Sequence, residues 1–125
     1  MNLINTLKRH EGFRSKPYHC SADKLTIGYG RNLEDRGITE EEAAYLLNND
    51  IELARQDCKK VFSEFNHFSQ ARRDALVNMM FNLGLSRFKG FKKMIAAINE
   101  GDWSEAKRQA LDSRWRQQVK SRCRS

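Results

Sequence analysis

Three side chains near the start of the chain have the types and spacing to handle protons and water. Glu11 is followed after eight residues by Cys20, and Cys20 after five by Thr26. A carboxyl group donates or accepts a proton, an ionised thiol is a base or nucleophile, and a hydroxyl orients water. The stretch His19 to Gly30 reads His-Cys-Ser-Ala-Asp-Lys-Leu-Thr-Ile-Gly-Tyr-Gly. Its middle alternates, with Leu25 and Ile27 on one side of a strand and Thr26 and Gly28 on the other. Thr26 is expected to point away from the apolar face, backed by glycines that admit a close neighbour. An acid at a helix end facing a strand with a hydroxyl and a thiol describes a cleft. On spacing alone, Glu11 is also compatible with an ordinary surface carboxylate at a helix terminus. If Phe13 and Tyr18 desolvate it, and the helix dipole opposes its charge, it becomes a general acid near neutral pH.

The elements that must position these groups follow from local signals. Asn2 is an N-cap, and Leu3, Ile4 and Leu7 mark one face of a helix that Gly12 ends. Pro17 to about Leu33 is the only strand-like region, short and punctuated by glycine, so a small antiparallel sheet is expected. Thr39 and Glu42 form a capping box that opens a long helix carrying Ala43, Leu46, Leu47, Ile51, Ala54, Cys58, Val61 and Phe62. Ser69 caps a third helix, apolar nearly all round and therefore the buried core helix, which Gly84 ends. Phe88, Phe91, Met94, Ile95 and Ile98 mark a further helix closed by Gly101. Asp102 to Glu105 is a second capping box, and Ser113 caps a last helix with Trp115 and Val119 inward. The fold class is α+β: a small sheet lobe and a larger all-helical lobe joined by a long helix. The boundaries are about 13–38 for the sheet lobe and about 39–62 for the joining helix, with 63–125 and 1–12 forming the helical lobe.

The chain has 125 residues, enough for one domain with a sizeable core. Lys and Arg outnumber Asp and Glu by 23 to 16, a net charge of +7. The surplus is uneven: residues 31–60 carry 5 basic and 8 acidic groups, and 103–125 carry 7 and 2. Such a chain is drawn to polyanions. The cysteines are Cys20, Cys58 and Cys123, an odd number without C-x-x-C spacing, which argues against a disulfide framework or a zinc site. His10, His19 and His67 lack metal-ligand spacing, and the expectation is no metal and no organic cofactor. No stretch has transmembrane length and no apolar leader is visible, which predicts synthesis in a cytoplasm without a cleavable signal.

The spacing Glu11-x8-Cys20-x5-Thr26, followed by Ile27-Gly28-Tyr29-Gly30, resembles the active-site signature of the phage-type lysozymes, glycoside hydrolase family 24. Gly37-Ile38-Thr39-Glu40-Glu41-Glu42-Ala43 resembles the start of that family's interlobe helix. Arg72 to Met79 with Phe81-Asn82-Leu83-Gly84 resembles its core helix, and Gly101-Asp102-Trp103 and Ser113-Arg114-Trp115 its C-terminal lobe. The likeness covers nearly the whole chain, in order. It implies a muramidase that hydrolyses the β-1,4 bond between N-acetylmuramic acid and N-acetylglucosamine in peptidoglycan. Glu11 is then the general acid, and Cys20 and Thr26 handle the attacking water. The family most often has Asp where this chain has Cys20. The thiol is expected to act as thiolate, with His19, Lys24 and Arg31 as the candidate cations that lower its pKa; attack on the sugar by Cys20 itself, or an inert Cys20, are the alternatives.

Arg31 stands where the family has a structural histidine, and Glu64, Asp74 or another acid is its expected partner. Arg122 lies where the family often has an arginine that reaches the catalytic acid, or is simply part of the basic tail. Tyr18 and Tyr29 are packing residues or line sugar subsites. Asn82 bonds an N-acetyl group or caps its helix, and Arg114 touches the muramyl peptide or faces solvent. Trp103, Trp115, Met79, Met80 and Cys58 are expected in the core.

Two other classes fit the same charge. One is a lytic transglycosylase leaving 1,6-anhydro ends, which the water-handling pair argues against. The other is an inactive module that binds cell wall. Nucleic acid is not required, since the C-terminal basic run lacks a recognised binding motif. The resemblance further implies an endolysin of a phage or prophage, held in the host bacterial cytoplasm and released by a holin-type partner, or else a member of a secretion or tail apparatus, acting in either case on the cell wall; nothing in the sequence demands stable membrane insertion or more than a monomer.

Overall fold

The computed structural model of the chain describes residues 2–112. Helix α1, Leu3–Glu11, starts at Asn2, whose side chain accepts from the Asn5 N–H at 2.8 Å. It stops at Gly12, where φ is +70° and the N–H returns to the Lys8 carbonyl. Lys8, Arg9 and His10 sit in its last turn, where cations suit the dipole. Three strands follow, β1 (Arg14–His19), β2 (Leu25–Gly28) and β3 (Arg31–Asn32), in one antiparallel sheet of order β1-β2-β3. The sheet begins three residues before Pro17 and is irregular between Arg14 and Tyr18. Proline lacks the N–H that a regular ladder uses there. Leu33, expected at the end of the strand region, instead opens a one-turn helix, α2 (Leu33–Arg36). Asn32 caps it, accepting from the Asp35 N–H at 3.0 Å.

The Thr39–Glu42 capping box forms as read. The Glu42 N–H reaches Thr39 Oγ1 at 3.1 Å, and the Thr39 N–H reaches Glu42 Oε1 at 2.8 Å. It opens α3, Glu40–Val61. The apolar stripe is buried only towards the C-terminal end of this helix, at Ala54 and Cys58 and on to Phe62, while Leu46 and Leu47 are exposed. The chain divides into two compact units within α3, between Tyr45 and Leu46, and α1 falls in the first with the sheet.

The second unit contains the core. After a 3-10 turn at Phe65–His67, Ser69 caps α4, Gln70–Lys89, which buries Leu76, Val77, Met79, Met80, Leu83 and Phe88. Gly84 breaks α4 as expected, with φ +80° and ψ 163°, and helix resumes beyond it. The expected single helix from Phe88 to Ile98 is instead two pieces. Phe88 ends α4, and α5, Lys92–Asn99, begins after Gly90 and Phe91. Phe88 has no exposure at all and packs edge-on against Phe62, with ring centroids 5.9 Å apart. Helix α6, Trp103–Asp112, is capped by Asp102, which accepts from the Glu105 N–H at 3.1 Å. The second capping box is half made, because Glu105 bonds Arg108 and Gln109 instead of turning back. Met79, Met80 and Cys58 lie in the core as expected, and Trp103 packs on its edge under the Arg72 guanidinium, 4.4 Å from the ring centroid. The architecture is α+β, a small antiparallel sheet in a chain of mostly helical content.

Candidate active site

The β1–β2 hairpin builds the thiol and hydroxyl pair. Its loop is Ser21, Ala22 and Asp23, closed by the Cys20 N–H to the Lys24 carbonyl at 3.0 Å and the Asp23 N–H to the Cys20 carbonyl at 2.8 Å. Asp23 takes φ +60°, the left-handed position that a three-residue hairpin loop requires and that Asp tolerates. This winding turns the backbone N–H groups of Lys24 and Ala22 towards the Cys20 sulfur. Together with the Thr26 hydroxyl, they lower the thiol's pKa below its usual value, Lys24 contributing most, against a smaller opposing effect of burial.

The expected cations are not the cause. The Lys24 ammonium lies 3.5 Å from Asp35 and 3.6 Å from Glu34. His19 faces Asp23 at 3.4 Å. Arg31 is held by Glu42, the other acid that the expectation left open beside Glu64 and Asp74. Arg31 Nη1 lies 2.8 Å from Glu42 Oε1, Nη2 meets Oε2, and Nη1 also reaches the Gly37 carbonyl. The guanidinium, aided by the Thr39 N–H, lowers the Glu42 pKa to about 2.

Thr26 is 3 % exposed, the only buried polar residue among those described, whereas Leu25 and Ile27 are half-buried. Its hydroxyl donates to the Lys24 carbonyl at 2.8 Å, which makes the burial tolerable. A hydroxyl has one proton. With that proton on Lys24, the Thr26 oxygen offers its lone pairs to a water or to the Cys20 S–H, and ionised Cys20 competes for the proton.

Glu11 sits at the C-terminal end of α1, and its seat is Gly30. A β-carbon at position 30 would stand 2.9 Å from Glu11 Oε2 and 3.2 Å from its carboxyl carbon. Gly30 also takes φ +81°, so both backbone and space demand glycine. The Glu11 side chain is exposed, and the apolar cover expected from Phe13 and Tyr18 is slight. Phe13 is 66 % exposed and rests on the Tyr29 ring with centroids 5.6 Å apart. Tyr18 is half-buried beneath the Arg14 guanidinium, 4.6 Å from its centroid.

The β2–β3 ladder connects these groups. Thr26 pairs with Asn32 and Ile27 with Arg31 across the Gly28-Tyr29-Gly30 turn. One sheet thus holds Cys20 and Thr26 at the β1–β2 end and the seat of Glu11 at the β2–β3 turn. Asn82 bonds within its own helix, its Nδ2 reaching the Asn78 carbonyl at 2.8 Å and Oδ1 at 2.9 Å. Arg114 and Arg122 lie outside the described residues. The sequence reading missed the Gly30 seat, the Glu42 partner and the contact of Phe13 with Tyr29. The Gly-x-Gly pattern was the available signal for the first.

No group of three or more His, Cys, Asp and Glu side chains gathers as a metal site among the described residues, and no described helix is long and apolar enough to cross a membrane.

A small antiparallel sheet and a mostly helical remainder give a lysozyme-like fold. Residues 8–124 match the phage lysozyme family, and the chain belongs to it. It is 33 % identical to an endolysin of Acyrthosiphon pisum secondary endosymbiont phage 1, over 80 % of this chain and 68 % of the relative. It is 29 % identical to the pre-baseplate central spike protein of Enterobacteria phage T4, over 98 % of this chain but only 26 % of that longer protein. A probable T4-type lysozyme of Dictyostelium discoideum is 25 % identical over 97 % of this chain and 88 % of its own length.

Proposed function

We propose that the chain is a peptidoglycan muramidase, hydrolysing the β-1,4 bond between N-acetylmuramic acid and N-acetylglucosamine. The observation that carries this reading is the seating of the Glu11 carboxyl on Gly30, in the same sheet that brings Thr26 beside Cys20. Glu11 gives its proton to the glycosidic oxygen as the C1–O bond breaks and positive charge develops on the sugar. Water held by Thr26 and Cys20 attacks C1 from the opposite face and passes its proton to the Cys20 thiolate. Solvent then returns a proton to Glu11 and removes one from Cys20, completing the cycle.

An inverting course is the one proposed. Inverting sites keep roughly 6.5–9.5 Å between their two groups to admit water. A paired thiol and hydroxyl favour water over the internal sugar hydroxyl that a transglycosylase uses. No metal or organic cofactor enters the scheme. Tyr18, Tyr29, Asn82, Arg114 and Arg122 are the proposed contacts to glycan.

The chain is further read as a monomer acting on peptidoglycan. Release from a bacterial cytoplasm through a holin-opened membrane, or carriage to the wall by a larger assembly, are the proposed routes to the substrate. Turbidity loss of purified bacterial walls tests the reaction. The native chain should clear walls and release reducing muramyl ends, and Glu11→Gln should not. Anhydro ends would make it a transglycosylase, and binding without clearing an inactive module.

A further inference from the structure

Beside the Glu11 seat lies an aromatic surface that takes no part in the proton transfers. Phe13 is 66 % exposed and Tyr29 47 %, although their rings touch. The Lys8 ammonium stands 5.5 Å from the Tyr29 centroid, within cation–π range. All three positions belong to the acid's own setting. Lys8 lies one helical turn before Glu11, Phe13 two residues after it, and Tyr29 next to the glycine on which its carboxyl rests. Exposed aromatic pairs are costly to leave in water, and contiguous ones mark binding surfaces.

The occupant follows from the chemistry of the glycan. In a β-1,4-linked strand of N-acetylhexosamines the ring substituents are equatorial, so each pyranose presents faces of axial C–H bonds. Such a face is apolar and carries partial positive charge, which complements the negative face of an aromatic ring. N-acetylmuramic acid adds a lactyl carboxyl or its peptide stem, and the Lys8 cation is placed to favour that anionic group.

We propose that Phe13 and Tyr29, with Lys8, form a stacking platform for an N-acetylhexosamine adjoining the scissile bond. The platform sets how tightly the strand binds and leaves proton transfer to Glu11. This inference rests on the muramidase reading above, and its test separates the two.

Soluble, uncrosslinked glycan strands are the substrate, with kcat, KM and melting temperature measured for each variant. Phe13→Ala and Tyr29→Ala should each raise KM about tenfold, about 1.4 kcal/mol of binding, with kcat changed by less than about twofold. Phe13→Tyr and Tyr29→Trp should restore KM, which a role in folding alone would not require. An unchanged KM in both alanine variants, or a rise that the aromatic replacements fail to rescue, overturns the platform. If the native chain does not cleave the strands, the muramidase reading fails on its own. Calorimetric binding of the same strands then decides the platform, which falls if both alanine variants bind as the native chain does.

Discussion

The acidity of Cys20 comes from backbone, and that decides how the thiol should behave. Two N–H groups and a hydroxyl favour the thiolate without a neighbouring cation, so salt should barely alter its ionisation whereas pH should alter it strongly. The folded pKa lies below that of an ordinary thiol, so the thiolate fraction rises as pH climbs through a lower value than in an unfolded chain. Cys58 is the opposite case, pushed up to about 12 chiefly by burial and secondarily by Asp57. In a Cys123→Ser background, iodoacetamide should therefore modify Cys20 in the native protein, with a rate that rises through a pKa below the free-thiol value, and should leave Cys58 untouched. The same ionisation should appear in activity. A Cys20→Asp variant carries a base that is already ionised in mild acid, so its activity should extend to lower pH than that of the native chain, which should favour alkaline conditions. Superimposable pH profiles would remove Cys20 from the reaction. The spacing of Glu11, Cys20 and Thr26 was legible because it is local along the chain. The cause of the lowered pKa was not, because it depends on how the three-residue loop aims two N–H groups that every sequence possesses.

At the level of elements, Glu42 serves three tasks at once: it receives the Thr39 N–H, lies in the first turn of α3, and grips Arg31 from β3. Its capping role was legible because a capping box spans four residues. Its ion pair was not, because it joins residues eleven apart and the cap had already given the carboxylate a use. The splitting of the Phe88–Ile98 segment was hidden for a related reason. The apolar periodicity continues across Gly90 and Phe91, and nothing local announces that Phe88 is claimed by the ring of Phe62. The Glu42 pair also makes a pH prediction. Its folded pKa of about 2 lies below the unfolded carboxylate value near 4.5, so the unfolded chain binds more protons between those values. The stabilisation is fully present above about 4.5 and is lost as pH falls through about 2. Melting temperatures of the native chain and Glu42→Gln should differ most near neutrality and converge in strong acid. A difference independent of pH would mean that the carboxylate's charge contributes nothing.

For the molecule as a whole, fold class and helix order were legible because caps and hydrophobic periods are dense in this sequence, and because the core cluster around Cys58, Phe62, Met80 and Phe88 is built from those periods. Burial of individual positions was less so. Thr26 is buried where alternation placed Leu25 and Ile27 inward, since an internal hydrogen bond satisfied its hydroxyl. Net charge is a property of the entire chain and yields its own expectation. With +7 overall, the proposed muramidase should be drawn to anionic wall polymers before any specific contact forms. That attraction acts through solvent, and the screening length falls from about 10 Å at 0.1 M salt to about 3 Å at 1 M. The proposed stacking of a sugar face and proton transfer from Glu11 would occur at contact and be screened far less. Clearing of intact walls should therefore slow severalfold across that salt range, while cleavage of short soluble oligomers of alternating N-acetylglucosamine and N-acetylmuramic acid, which carry little charge, should change much less. The ratio of the two rates isolates the long-range field, because chemistry and stability affect both substrates alike. An equal salt response on both would mean that the basic surplus does not guide the protein to its substrate.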